Sequence, residues 1–181
     1  MRKAMILALF ALAILPCVAG AVSIGVGAFG GASIPLLQDD NGQGTVFGLR
    51  APVSLIPLVT VEPYFAKGSG GDKSQDIEGT TITRSGIDVT GFGANVLLTF
   101  GGKLQLYPFA GIGSYKLTRA GSDDLTNTTY TFGLGLGISP LPKLSVHLRG
   151  ELAAAVDGAV SRKWANATVG VSYNVFSTPI P

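Results

Sequence analysis

Residues 130–138 read Tyr-Thr-Phe-Gly-Leu-Gly-Leu-Gly-Ile. Side chains of an extended strand alternate between two faces. A strand of a transmembrane barrel needs an apolar face toward lipid and has little room on its interior face. The segment predicts such a strand, because one face holds only bulky groups and the other only small ones: Tyr130, Phe132, Leu134, Leu136 and Ile138 against Thr131, Gly133, Gly135 and Gly137.

The first 21 residues have the organisation of an export signal. Two basic residues precede an apolar run that ends near Pro16, and small residues follow up to Ala21. We expect a signal peptide cleaved after Ala21, leaving residues 22–181 as one outer membrane β-barrel domain. Two alternatives are a retained transmembrane helix, for which the run is short, and a lipoprotein acylated at Cys17, which the preceding proline disfavours.

The composition of the mature chain excludes several classes of function. The chain has 13 Lys and Arg against 11 Asp and Glu, and two of the basic residues belong to the signal. The mature domain is therefore formally neutral, and we expect no nucleic-acid partner. The only cysteine, Cys17, also lies in the signal. We therefore expect no disulfide and no thiolate metal site. We also expect no cofactor.

Alternating polarity continues through the mature chain and predicts eight strands. No segment after the signal approaches the roughly 20 apolar residues that a spanning helix needs. Several strands have about the 9–11 residues that a tilted strand needs to cross a bilayer. We predict strands at Val22–Gly31, Thr45–Val53, Leu58–Lys67, Gly86–Thr99, Leu104–Leu117, Thr128–Ile138, Leu144–Ala154 and Trp164–Phe176.

The connections between these strands alternate between long and short. Residues 68–85 form the longest and most polar connection, whereas 54–57, 100–103 and 139–143 are short. Outer membrane barrels have short periplasmic turns and longer extracellular loops. We therefore predict an all-β fold, an eight-stranded antiparallel up-and-down transmembrane β-barrel in a bacterial outer membrane. The alternative is a soluble up-and-down barrel, which would carry its large apolar residues inside.

Charged residues on the strands are predicted to face the lumen. In the seventh strand, Leu148 and Leu152 share one face, whereas Arg149 and Glu151 share the other. An arginine facing lipid at the bilayer midplane would cost about 2–4 kcal/mol. We therefore predict either a packed ionic network that closes the lumen or a narrow gate that rearranges, formed by Arg50, Glu62, Asp88, His147, Arg149 and Glu151.

Aromatic residues lie near several predicted strand ends. Aromatic residues are enriched where barrel strands cross the membrane–water interfaces, although they also favour strands generally. We predict an interfacial girdle formed by Phe65, Phe100, Tyr107, Tyr115, Trp164, Tyr173 and Phe176.

Three stretches resemble the OmpA-like and OmpX-like family of eight-stranded outer membrane barrels. They are Val61–Phe65, Tyr107–Tyr115 and Thr168–Val175. The resemblance covers essentially the whole mature chain and implies fold more than function. It implies that the last strand is read by the outer-membrane assembly machinery, although the chain continues to Pro181. The implied assembly signal consists of Thr168, Gly170, Tyr173 and Val175.

Three further motifs are of types that can carry chemistry. Gly25-Val-Gly-Ala-Phe-Gly30 matches a dinucleotide fingerprint, but the helix that must follow it is missing from the pattern. Ser145 and His147 share a strand face and resemble the Ser–His pair of an eight-stranded outer membrane lipid A deacylase, which would imply a lipid A-modifying enzyme. In that enzyme the serine follows the histidine by two residues, whereas Arg149 holds that position here. The pairs Asp39–Asp40 and Asp123–Asp124 would suit divalent cations near lipopolysaccharide phosphates, or are simply solvated.

The predicted function is a structural or surface-interaction role, in envelope integrity or adhesion through extracellular loops. The predicted partners are outer membrane lipid and lipopolysaccharide, the assembly machinery and an extracellular ligand at the loops. A channel for small solutes or hydrophobic compounds and a lipid A-modifying enzyme are the alternatives. We expect no catalytic residue.

Overall fold

The computed structural model describes residues 22–36, 42–77, 80–157 and 160–178. The predicted signal peptide, its cleavage site and the Asp39–Asp40 pair lie outside these ranges. Within them, no helix is both long enough and apolar enough to cross a membrane.

Eight antiparallel strands form a closed barrel, as predicted. Each strand pairs with its neighbour in sequence, and β1 pairs with β8 from Ser23↔Ser177 to Leu36↔Lys163. Closure gives every strand two partners and removes open sheet edges. The strands are β1 Ser23–Leu36, β2 Gly42–Arg50, β3 Val59–Gly71, β4 Asp88–Leu98, β5 Leu104–Thr118, β6 Leu125–Leu141, β7 Leu144–Asp157 and β8 Val160–Ser177.

Shorter elements extend this barrel. After Ala51 and Pro52, the path of β2 continues as the short strand Val53–Ile56, which pairs with both β1 and β3. Phe100–Gly101 pairs with the start of β5. The β3–β4 connection contains a separate two-stranded hairpin, Lys73–Ile77 with Thr80–Arg84.

The strands extend further at the loop end than the sequence predicts. β1 continues to Leu36 instead of ending at Gly31, and β6 begins at Leu125 instead of Thr128. Hydrogen bonding between antiparallel neighbours does not depend on side-chain polarity, so paired strands continue beyond the apolar band. The connections predicted as long polar loops are therefore partly strand.

The alternation in residues 130–138 is confirmed. The five bulky side chains of this segment are between 43% and 61% exposed, whereas Thr131 is completely buried. The surface of the barrel is consequently apolar, and the interior is formed by small, polar and charged groups together with a few large side chains such as Leu97, Tyr107 and Phe109. This arrangement is the reverse of that in a soluble barrel.

The predicted aromatic girdle is wrong for three of its seven residues. Tyr107 and Tyr115 are buried inside the barrel, and the ring of Trp164 lies 5.8 Å from that of Tyr115. Tyr107 and Tyr115 alternate with the outward-facing Leu106 and Lys116, so they point into the lumen. The other four are exposed: Phe65, Phe100, Tyr173 and Phe176.

Candidate functional site

A bidentate ion pair crosses the lumen. Arg149 on β7 donates from Nη1 to Glu62 Oε1 at 2.5 Å and from Nη2 to Glu62 Oε2 at 2.7 Å. Strands β3 and β7 are four positions apart in a barrel of eight, so the pair joins opposite walls. Both side chains are at least nine-tenths buried. Paired guanidinium and carboxylate groups in this geometry form one of the stronger side-chain contacts available to a protein.

A chain of hydrogen bonds continues from Arg149 along the lumen. Arg149 Nε donates to Tyr107 Oη at 3.0 Å, and Tyr107 Oη lies 3.0 Å from His147 Nδ1. His147 Nε2 lies 2.8 Å from Ser172 Oγ. These four side chains and Glu62 line a cavity of about 180 Å³ that extends toward the end of the barrel holding the short turns.

Arg50 and Glu151 occupy the other side of the ion pair. Asn166 Nδ2 donates to Glu151 Oε1 at 2.9 Å. The Arg50 guanidinium lies 4.8 Å from the centre of the Phe29 ring, and its Nε and Nη1 have no hydrogen-bond partner among the described residues. Arg50 and Glu151 line a cavity of about 40 Å³, which exceeds the volume that one water molecule needs.

Asp88 does not belong to this network, which corrects the prediction. Asp88 is exposed at the start of β4 and lies on the same face as the outward-facing Phe92 and Val96. Counting by twos from Phe92 places Asp88 outside, since the interior face of β4 carries Gly91 and Asn95. The other five predicted lumen residues, Arg50, Glu62, His147, Arg149 and Glu151, all line the interior cavities.

Glycines on the interior face make room for large side chains on adjacent strands. Gly135 is paired in register with Tyr107, Gly133 with Phe109 and Gly91 with Tyr115. A Cβ atom added at each glycine would collide with the ring of its partner. These three aromatic residues were not predicted as lumen groups, because the sequence does not give the register between strands.

We expect Gly135→Ala to lower the free energy of unfolding by about 1–3 kcal/mol, because the new methyl group would displace the Tyr107 ring from its bonds to Arg149 and His147. Urea unfolding of the protein in phospholipid vesicles measures this change. Gly150→Ala is the matched control, since nothing lies within 4 Å of a Cβ added at Gly150. Equal losses in both variants would contradict this explanation of the glycines.

The structure does not bring Ser145 and His147 together as a nucleophile and its base. Ser145 Oγ lies 2.9 Å from Ser139 Oγ, whereas the serine hydroxyl beside His147 belongs to Ser172. Tyr107 Oη accepts a hydrogen bond from Arg149 Nε, so its own hydroxyl hydrogen is available to His147 Nδ1. In that arrangement neutral His147 carries its proton on Nε2 and donates to Ser172, whereas a catalytic base must accept from the hydroxyl.

The remaining motifs have local structural explanations. Gly25 to Gly30 lies within β1, which continues as a strand to Leu36, so the helix of a dinucleotide site is missing there. Lys116 Nζ lies 2.5 Å from Asp124, and this contact lowers the pKa of the Asp124 carboxyl. The described residues contain no cluster of three or more His, Cys, Asp or Glu side chains that could hold a metal ion.

The predicted assembly signal lies on β8. Thr168 is buried, whereas Tyr173 and Val175 are exposed on the outer surface. Gly170 has a structural role of its own, since a Cβ there would collide with the Arg50 guanidinium. Recognition of these residues by the assembly machinery stays a prediction.

A closed eight-stranded barrel with an apolar exterior and an ionic interior is the architecture of a transmembrane β-barrel. The chain matches the family model described as "Outer membrane protein beta-barrel domain" over residues 4–176. The protein therefore belongs to this outer membrane β-barrel family.

Solved structures of other barrels share this fold. Neisserial surface protein A has a TM-score of 0.64 at 12% identity, covering 85% of this chain and 98% of that one. The N-terminal barrel of Pseudomonas aeruginosa OprF has a TM-score of 0.54 at 18% identity, covering 84% and 96%. A major outer membrane protein of Thermus thermophilus has a TM-score of 0.54 at 13% identity, covering 84% and 98%. No curated protein matches the chain significantly.

Proposed function

We propose that this protein is a non-catalytic outer membrane barrel that acts through its outer surface and extracellular connections, in envelope integrity or adhesion. The observation that carries the proposal is the Arg149–Glu62 ion pair, which crosses the lumen and joins opposite walls. Bulk flow would require separating two buried charges, which costs several kcal/mol. The surfaces left for function are therefore the lipid-facing wall and the loop end.

Among the residues that the structure describes, the loop end carries a hairpin in the β3–β4 connection. Residues Thr80–Arg84 are all exposed, and the hairpin is a sheet separate from the barrel. An exposed sheet edge offers backbone groups to a partner strand. One structural neighbour is called a surface protein, and we propose that this hairpin contributes to contacts with an extracellular ligand.

Replacing residues 72–85 with a short glycine-containing turn should reduce adhesion of cells that carry the protein, because the exposed hairpin is removed. Adhesion would be measured by counting cells bound to a host-cell monolayer. The barrel should remain folded, since the two described hairpin strands form their ladder with each other and not with a barrel strand. The retained mobility shift between unheated and boiled samples in SDS gels would verify folding. Unchanged adhesion with a folded barrel would contradict a role for the hairpin.

A narrow solute channel is the second candidate, and the environment of Arg50 favours it. Two of the Arg50 nitrogens lack hydrogen-bond partners among the described residues, and the guanidinium lines the same cavity as Glu62 and Glu151. Exchange of ion-pair partners in this cavity would move Arg149 away from the centre of the lumen. Lipid A modification is the third candidate, and the contact of Ser145 with Ser139 instead of His147 disfavours it.

A further inference from the structure

Two outward-facing lysines flank one threonine at the loop end of the barrel wall. Lys67 on β3 is paired in register with Thr90 on β4, and Thr90 is paired with Lys116 on β5. The three residues therefore form one row across adjacent strands. The two lysines are two strand spacings apart, which is about 10 Å between backbones.

This row lies directly above the apolar band. Phe65 and Phe92 are the next outward-facing residues below Lys67 and Thr90, and they are 47% and 66% exposed. Lys67 is exposed, and the Lys116 side chain is 53% exposed while it contacts Asp124. The long connections place this end of the barrel on the extracellular side. The row therefore lies at the depth of the lipid headgroups of the outer leaflet.

We propose that Lys67, Thr90 and Lys116 form a binding site for a phosphorylated lipid headgroup of the outer leaflet. The two ammonium groups provide charge for the phosphate, and the Thr90 hydroxyl between them provides a hydrogen-bond donor. The acyl chains lie against Phe65 and Phe92 below. The aromatic surface beneath the charges favours a lipid over free phosphate, which would gain nothing from that surface.

The contact between Asp124 and Lys116 should lower the affinity of this site for a phosphate. The Asp124 carboxylate occupies one side of Lys116 and would repel a phosphate. A lipid phosphate therefore has to compete with Asp124 for the ammonium group. Neutralising Asp124 should strengthen lipid binding, whereas a purely structural Lys116–Asp124 pair would give no such gain.

The inference rests on the proposed function, since it assumes that the barrel wall is in contact with outer-leaflet lipid. The test is native mass spectrometry of the purified full chain in detergent, titrated with bisphosphorylated lipid A. Parallel titrations use the same lipid with its phosphates removed, and inorganic phosphate as a competitor. Lys67→Gln and Lys116→Gln are measured singly and together. Lys103→Gln and Lys143→Gln, in exposed turns at the opposite end, are the matched controls.

We expect each lysine substitution to weaken binding of bisphosphorylated lipid A about fivefold, and the double substitution on the order of 20-fold. Asp124→Asn should bind more tightly than the wild type, and the two control variants should bind equally well. Lipid A without its phosphates should bind to the wild type and to all variants with the same affinity.

The proposed site would be overturned if the double variant bound bisphosphorylated lipid A as tightly as the wild type. It would also be overturned if the two control variants lost as much affinity as Lys67→Gln and Lys116→Gln. Full competition by inorganic phosphate would show a free-phosphate site instead, and weaker binding by Asp124→Asn would show a structural pair. The mobility shift on heating verifies that each variant is folded. Conductance and adhesion test the proposed function on the same variants, so its failure is separable from failure of the lipid site.

Discussion

Replacing Arg149 with alanine should lower the free energy of unfolding of the barrel by about 3–5 kcal/mol. The substitution leaves the Glu62 carboxylate at 2% exposure without its bidentate partner, and it removes the Nε donor from Tyr107. An uncompensated charge in the lumen is more costly than the loss of the contact itself. Equilibrium unfolding in urea, with the protein in phospholipid vesicles, measures the effect.

The double variant Glu62→Gln with Arg149→Met is the control for this prediction. It removes both charges and keeps similar side-chain volumes, so most of the lost stability should return. A double variant that is as unstable as Arg149→Ala would show that packing of the arginine, and not the isolated carboxylate, determines the loss. A loss below about 1 kcal/mol in Arg149→Ala would show that water solvates the lumen at this depth.

Replacing Leu134 with arginine should destabilise the barrel by about 2–4 kcal/mol in vesicles. Leu134 is 61% exposed at the centre of the outward-facing segment 130–138, so the guanidinium would face the bilayer midplane. Urea unfolding in vesicles gives the change in free energy.

Leu141→Arg is the matched control on the same strand. Leu141 is 59% exposed at the short-turn end of β6, so the depth in the bilayer differs while the exposure does not. The expected loss there is about 0–1 kcal/mol. Equal effects at both positions would contradict a bilayer centred on Leu134.

Much of the fold could be predicted from the sequence because the alternation repeats in strand after strand. The exposure of Leu134 and the burial of Thr131 follow from that period alone. The same period placed Arg149 and Glu151 inside, since the opposite assignment would put charges into lipid. Strand ends were less predictable, because backbone pairing continues to Leu36 without any apolar signal.

The contacts inside the lumen could not be predicted in the same way. Alternation gives the face of the strand on which a residue lies, but neither its position along the barrel axis nor its partner across the lumen. The sequence therefore does not predict that Arg149 pairs with Glu62. Ser172 was missed beside His147 because neighbouring strands, and not sequence spacing, bring them together. The sequence predicts Tyr107 in the girdle because it does not give the register between strands. In the structure Tyr107 is paired with Gly135, which leaves room for its ring inside the barrel.

Closure of the lumen by Arg149 and Glu62 is most directly tested by conductance. The purified protein, verified as folded by its mobility shift on heating, would be inserted into a planar lipid bilayer under an applied voltage. The bridge between opposite walls predicts no discrete current steps across many insertions. Large, stable steps would contradict a closed lumen.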